Sequence, residues 1–180
     1  MKKRLIRGVA APNFTYESIS GESVDFHRKA GRRRSVLFFL RYAGCPICRL
    51  KLREIYLDYE KFNSAGLDVY VVLQSVPASA KEALAGSDLP IVIICDPGGK
   101  IFRLYGVAAG NIFQYIAPPV LIKAFRASRL GIRHGRKEGE EMQLPAVFIL
   151  EEDGTIGYAY YGRNIGDVPD TGAILEAARA

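Results

Sequence analysis

The apolar run Val36-Leu37-Phe38-Phe39-Leu40, entered at Ser35, leads within four residues to Cys45-Pro46-Ile47-Cys48. A run with no polar alternation suits a strand buried on both faces. Arg41-Tyr42-Ala43-Gly44 turns the chain. Beyond it, Cys48, Leu52, Ile55, Tyr59 and Phe62 recur at spacings of four and three, which predicts a helix over 46–65 with these side chains on one face. Gly66 ends it. A strand buried on both faces must be covered by helices on both sides, which points to an α/β architecture.

The flanking segments agree. Residues 67–73 and 91–95 read as further strands, and Pro77 opens a helix predicted to run through Ala85. Strand, helix, strand, helix, strand implies a parallel sheet. Residues 14–18 and 23–26 flank Gly21 as a small N-terminal hairpin. Asp96-Pro97-Gly98-Gly99 is a turn, followed by a short helical stretch over 100–105. Residues 145–150 and 155–160 are strands joined by a short link, hence an antiparallel hairpin, and 171–179 close with a helix. The long segment 107–144 predicts one helix, about 118–130, then an exposed charged loop over 131–141. Its apolar cluster, from Phe113 through Tyr115 and Ile116 to Leu121, reads by default as core, with a dimer or substrate surface as the sharper option.

A chain of 180 residues fits one domain, 1–180. With 49% hydrophobic and 24% charged residues, the disordered and collagenous classes are excluded. Three cysteines, an odd number, argue against a disulfide scaffold. The net charge of +6 is uneven: residues 1–53 hold thirteen Lys/Arg against three Asp/Glu. The start, Met1-Lys2-Lys3-Arg4, is charged, but no apolar stretch of signal-peptide length follows and no run approaches a membrane span. The expectation is a short basic tail on a cytoplasmic protein. A reducing compartment makes a CxxC redox-active or metal-binding rather than structural.

Cys45 falls where a strand has ended and a helix begins. The first backbone N–H groups of a helix are unpaired and carry partial positive charge, so a thiolate there is favoured. Arg41, Arg49, Lys51 and Arg53 are near in sequence and add positive potential. Cys48 is one turn deeper, on the apolar stripe. The outer cysteine is expected to attack and the inner one to resolve the product. Pro46 suits the first helical position, where a missing N–H costs nothing. Pro145 opens the late strand.

With these residues in view, the chain resembles the AhpC/TSA, or peroxiredoxin-like, branch of the thioredoxin-fold superfamily. The matching segments are 38–48, Cys95-Asp96-Pro97-Gly98-Gly99-Lys100 with Tyr105-Gly106-Val107, and 144–150 with Asp153-Gly154. The resemblance implies a thioredoxin-like fold: a central mixed sheet flanked by helices, with a peroxiredoxin-type central insertion and an N-terminal hairpin. It also implies an antioxidant, thiol-dependent oxidoreductase. Cys45 attacks a peroxide or a disulfide, and Cys48 closes an intramolecular disulfide. A thioredoxin-like or glutathione-like donor reduces that disulfide, and no cofactor is required. Arg41, Tyr42, Gly44 and Pro46 then shape the approach of substrate, with Pro145 on the opposite wall.

The departures are specific. Peroxiredoxins carry a proline seven residues and a Thr or Ser three residues before the reactive cysteine, where this chain has Phe38 and Tyr42. They place an arginine at the start of the late strand, where Pro145 stands, a position that holds a cis-proline in thioredoxins. Arg41 is the candidate replacement for that arginine.

Other readings stay open. The pair is alternatively a redox switch in a binding or sensor module, with 107–144 as partner surface, and a homodimer is a further option. A zinc site needs more ligands than two, and Cys95, His27 and His134 are single and scattered. Cys95 reads as a buried small hydrophobe, or else a second resolving thiol. The runs Arg32-Arg33-Arg34 and Lys2-Lys3-Arg4 lack the stripe or motif that nucleic-acid binding needs. Neither nucleic acid nor membrane is expected as a partner, and no metal is.

Overall fold

The computed structural model describes residues 3–31, 33–83 and 91–180. In chain order the elements are β1 (Thr15–Ser18), β2 (Ser23–Asp25), α1 (Phe26–Ala30), β3 (Ser35–Leu40), α2 (Pro46–Leu57), α3 (Tyr59–Ser64), β4 (Asp68–Leu73) and α4 (Pro77–Ala83). They continue with β5 (Val92–Cys95), α5 (Lys100–Leu104), α6 (Ile112–Tyr115), α7 (Pro118–Arg129), β6 (Ala146–Leu150), β7 (Ile156–Tyr161) and α8 (Thr171–Arg179). The strands form one mixed sheet in the order β2-β1-β5-β4-β3-β6-β7. β3, β4 and β5 are parallel, while β6 and β7 pair antiparallel on one side and β1 and β2 on the other.

β3 lies between β4 and β6 and is buried along its whole length, as its unbroken apolar run requires. Val36, Phe38 and Leu40 join one core layer with Leu52, Ile55 and Phe62 from the helices and Ile174 from α8. Leu37 and Phe39 join the layer on the other face, with Phe102, Tyr105 and Phe148. There the Phe39 ring meets those of Phe102 and Tyr105, both at 5.1 Å between centroids. This two-sided burial holds the end of β3, and so the turn that follows, in one place.

The stripe read from the sequence is the buried face: Cys48, Leu52, Ile55 and Phe62 are in the core and Tyr59 packs against it. The predicted single helix over 46–65 is instead two, broken at Asp58, whose side chain is drawn to Lys61 Nζ (2.6 Å) and Thr171 Oγ1 (2.7 Å). Gly66 ends the second at a φ of 70°. Residues 84 and 85 of the helix predicted from Pro77, and Arg32, lie outside the described residues. The described residues that follow the basic start are held to the sheet: Leu5 N donates to the Tyr161 hydroxyl, and Gly8 and Val9 exchange backbone hydrogen bonds with Ile156 along the edge of β7. His27, single and scattered as a possible metal ligand, stands in the short helix α1.

The segment 107–144 differs most from expectation. A second helix, α6, precedes α7, capped by Asn111 and Gln114 in a reciprocal capping box. The apolar cluster read as core is largely outside it. Val120 is buried, but Phe113, Ile116, Pro118, Pro119 and Leu121 are exposed. α7 packs on α2 and buries only Val120 and Ala127.

Candidate active site

Cys45 is the N-cap of α2, in extended backbone conformation, and Pro46 is the first helical residue. The Cys45 sulfur therefore sits over the unpaired amides of the first turn and accepts from Cys48 N at 3.5 Å. Arg41, at the end of β3, turns back so that its Nη2 donates to Cys45 Sγ at 2.8 Å. The guanidinium is held in that pose. Its Nη1 donates to the Glu141 carbonyl oxygen, and its centre lies 5.3 Å from the ring centroids of both Tyr42 and Tyr115. Arg41 is 3% exposed, so its charge acts with little solvent screening.

The two thiols are thereby set apart. Cys45 is held below the ordinary thiol value, first by the hydrogen bond from the Cys48 thiol and then by the Arg41 cation, against the penalty of burial. Cys48 is driven well above it, first by burial and then by its neighbour Cys45. Arg41 keeps its proton more tightly because the desolvation it suffers is outweighed by the two sulfurs. Two of the other cations expected to bear on Cys45 point elsewhere. Lys51 Nζ donates to Pro169 O at 2.7 Å and lies 3.5 Å from Glu54, and Arg49 leans toward Arg133 O.

Cys45 is not the outer cysteine in the sense of being open. It is 0% exposed and Cys48 is 3% exposed. The loop expected over 131–141 to be merely exposed is fastened along 132–141 as a strap beside the pair, against Gly44, the residue before Cys45. Gly135 N donates to Gly44 O at 2.8 Å, and Glu140 N donates to the Gln74 side chain at 2.7 Å. The Tyr42 hydroxyl meets His134 Nε2 at 3.2 Å; with the imidazole proton on Nδ1, which faces Gly135 O at 2.8 Å, the hydroxyl is the donor. Tyr42 therefore serves the strap and the guanidinium, not the Cys45 sulfur. Ser75 Oγ fixes the turn by accepting from Ala43 N at 3.0 Å, and a Gln74–Gln143 amide pair, 3.0 Å apart, ties β4 to the approach of β6. Sequence reasoning missed Glu141, Gln74, Ser75 and Gln143, weighed His134 only as an isolated metal ligand, and placed Tyr115 only in an apolar cluster whose sharper reading was a dimer or substrate surface.

Gly44 is required by this closure. A Cβ on it would collide with the Arg136 carbonyl oxygen and crowd the Gly135 backbone. Gly44→Ala is expected to lift the strap, cost about 1–3 kcal/mol of stability, and speed alkylation of Cys45 by iodoacetamide; an unchanged labelling rate would show that the strap does not shield the thiol.

Pro145 is brought to the other side of the pair. It lines a cavity of about 10 Å³, room for one water, together with Cys48, Lys51 and Lys123. The Leu144–Pro145 bond is trans, since no cis peptide occurs among the described residues, so the thioredoxin-like cis-proline does not carry over. Cys95 is buried in the core layer that holds Cys45 and Cys48, and burial pushes its thiol up to about 11. Among the described residues, no group of three or more His, Cys, Asp or Glu side chains is placed to hold a metal ion.

The family model described as AhpC/TSA matches residues 8–159, a span that holds β3, the turn after it and both cysteines of the pair. This chain belongs to the AhpC/TSA family. Among relatives, the chloroplastic peroxiredoxin Q of Oryza sativa subsp. japonica is 32% identical over 106 residues, which cover 59% of this chain and 48% of that protein. The chain thus spans about half the length of the curated relatives it matches. Among solved structures, a mutant of the peroxiredoxin 6 of Arenicola marina superposes with a TM-score of 0.73 at 17% identity, over 97% of this chain and 72% of that one. The peroxidoxin BcpB of Mycobacterium tuberculosis does so with a TM-score of 0.72 at 11% identity, over 98% and 97%. The thioredoxin-like α/β fold expected of an AhpC/TSA chain is the fold observed, a seven-stranded mixed sheet with helices, and β1–β2 form its N-terminal hairpin. No helix among the described residues is long and apolar enough to cross a membrane.

Proposed function

We propose that this AhpC/TSA chain is a thiol peroxidase in which Cys45 is the attacking thiolate and Cys48 the resolving thiol. The observation that carries the reading is the 2.8 Å hydrogen bond from a buried Arg41 to the Cys45 sulfur. A guanidinium in this place keeps the sulfur ionised and can also polarise the O–O bond of an incoming peroxide. Arg41 thereby supplies, from four residues before the cysteine, the cation that peroxiredoxins take from the late strand.

In the first step the Cys45 thiolate bonds to one peroxide oxygen, the O–O bond breaks, and the departing alkoxide or hydroxide takes a proton. The products are a Cys45 sulfenic acid and an alcohol or water. In the second step the Cys48 sulfur attacks the Cys45 sulfur, and its proton leaves with the sulfenic oxygen as water. An external thiol donor, one thioredoxin-like dithiol or two glutathione-like monothiols, then returns two electrons and two protons and leaves as a disulfide. Cys48 starts as a thiol, so it donates its hydrogen bond to Cys45 and does not compete for the peroxide. Tyr42, Gly44 and Pro46 shape the approach, and Pro145 borders the Cys48 side. The cycle uses no cofactor.

The strap favours peroxide over a protein disulfide as the oxidant. A peroxide needs a small opening to reach a buried sulfur, whereas a protein disulfide needs the whole loop displaced. The test is stopped-flow thiol loss, with reduced protein mixed with hydrogen peroxide or, separately, with an oxidised protein dithiol. The expected result is thiol loss far faster than that of a free thiol with peroxide, slow loss with the disulfide, and an intramolecular disulfide as product. A peroxide rate no faster than that of a free thiol would overturn the reading.

A further inference from the structure

Seven large hydrophobic side chains between Ile112 and Leu130 are exposed. The most open are Phe113 at 77%, Ile122 at 69% and Phe125 at 66%. α7 turns Val120 and Ala127 toward α2, which leaves Leu121, Ile122 and Phe125 on the side away from it. Patches of this kind on a soluble chain mark a contact surface rather than chance.

The charge around the patch says what it meets. Residues 112–131, which hold α6 and α7, contain three cations, Lys123, Arg126 and Arg129, and no Asp or Glu, although the chain after residue 53 is acidic on balance. Arg126 and Arg129 are interleaved with the exposed apolar residues of α7, and the one acid recorded against them is Glu54 of α2, 3.5 Å from Arg126. A two-fold pairing of this face with a second copy would set the same cations against each other. A nucleic-acid backbone would satisfy the cations and leave the phenylalanine and isoleucine side chains without a partner. An anionic bilayer satisfies both: the apolar side chains enter the acyl boundary while the guanidinium groups stay among the headgroups.

We infer that the exposed face of α6 and α7 docks on an anionic phospholipid bilayer. This departs from the sequence expectation of no membrane partner; a surface contact of a basic amphipathic helix needs no spanning segment. α7 lies on α2, the helix that begins at the cysteine pair, so docking holds the site near the lipid surface.

The test is co-sedimentation with vesicles of phosphatidylcholine alone and of phosphatidylcholine with about a third phosphatidylglycerol. Wild-type protein is expected to sediment with the anionic vesicles only, and less as salt rises. The pair Ile122→Ser and Phe125→Ser is expected to weaken binding about tenfold or more while leaving the rate of thiol loss with peroxide unchanged, since both side chains already face solvent. Arg126→Glu with Arg129→Glu should remove the preference for anionic vesicles. No sedimentation with anionic vesicles, or binding that survives the serine pair, overturns the inference. So does a concentration-dependent dimer, seen by light scattering and lost in the serine pair, because it assigns the face to a second copy.

Discussion

Cys45→Ser is expected to lower thiol-dependent peroxide consumption by at least about a thousandfold, while Cys48→Ser keeps the first oxidation and stops turnover. A serine hydroxyl at position 45 stays protonated at neutral pH beside Arg41, so the nucleophile is lost with the fold intact. The Cys48 replacement separates the two thiols. Serine still offers an O–H to the Cys45 sulfur, so the largest influence that lowers Cys45 is retained in kind. The initial rate should then stay within about tenfold of wild type, and a sulfenic acid, trapped with dimedone, should accumulate on Cys45 in place of the disulfide. Persistence of turnover with an intramolecular disulfide in Cys48→Ser would mean that another thiol resolves; Cys95, buried in the same core layer, is the remaining candidate.

Arg41→Met is expected to slow thiol loss with peroxide about a hundredfold at pH 7. The methionine fills much of the volume, but the cation and its donors to Cys45 and to the Glu141 carbonyl are gone. The sign of the pH effect is fixed by the direction of the Cys45 shift. Its value is lowered in the folded protein, so the thiolate is present at neutral pH and is lost as pH falls through the lowered value. Without Arg41 that value moves up, and the variant should approach wild-type behaviour only in alkaline solution. Arg41→Lys should fall between the two, because an ammonium restores the charge but not the planar fork that reaches a sulfur and a carbonyl at once. A Met variant that shares the wild-type pH profile would show that Arg41 supports structure alone.

The parts of this molecule written in local patterns were open to reading. β3 shows itself as an unbroken apolar run, α2 as a stripe at spacings of four and three, and Cys45 as the residue where one gives way to the other. Arg41 was visible as a cation near a cysteine, but its aim was not. The choice of Arg41 over Arg49, Lys51 and Arg53 depends on Tyr42, Tyr115 and the Glu141 carbonyl closing around it. The strap left no trace, since its hold on the site runs through backbone groups such as Gly135 N and Glu141 O, nearly a hundred residues from their partners. Any polar sequence can present those groups. The apolar residues from Phe113 to Leu121 misled because hydrophobicity marks burial only on average. α7 spends a valine and an alanine on α2 and leaves its larger side chains outside.

The account rests on Cys45 being a thiolate at neutral pH inside a closed site. The rate of thiol loss with hydrogen peroxide, followed by stopped flow across pH in wild-type protein, addresses that claim directly. The account predicts a rate far above that of a free thiol, flat from neutral pH upward, with its acid limb below the ordinary thiol value. A rate that climbs with pH through about 8.5 as a free thiol does, at the speed of a free thiol, would contradict it.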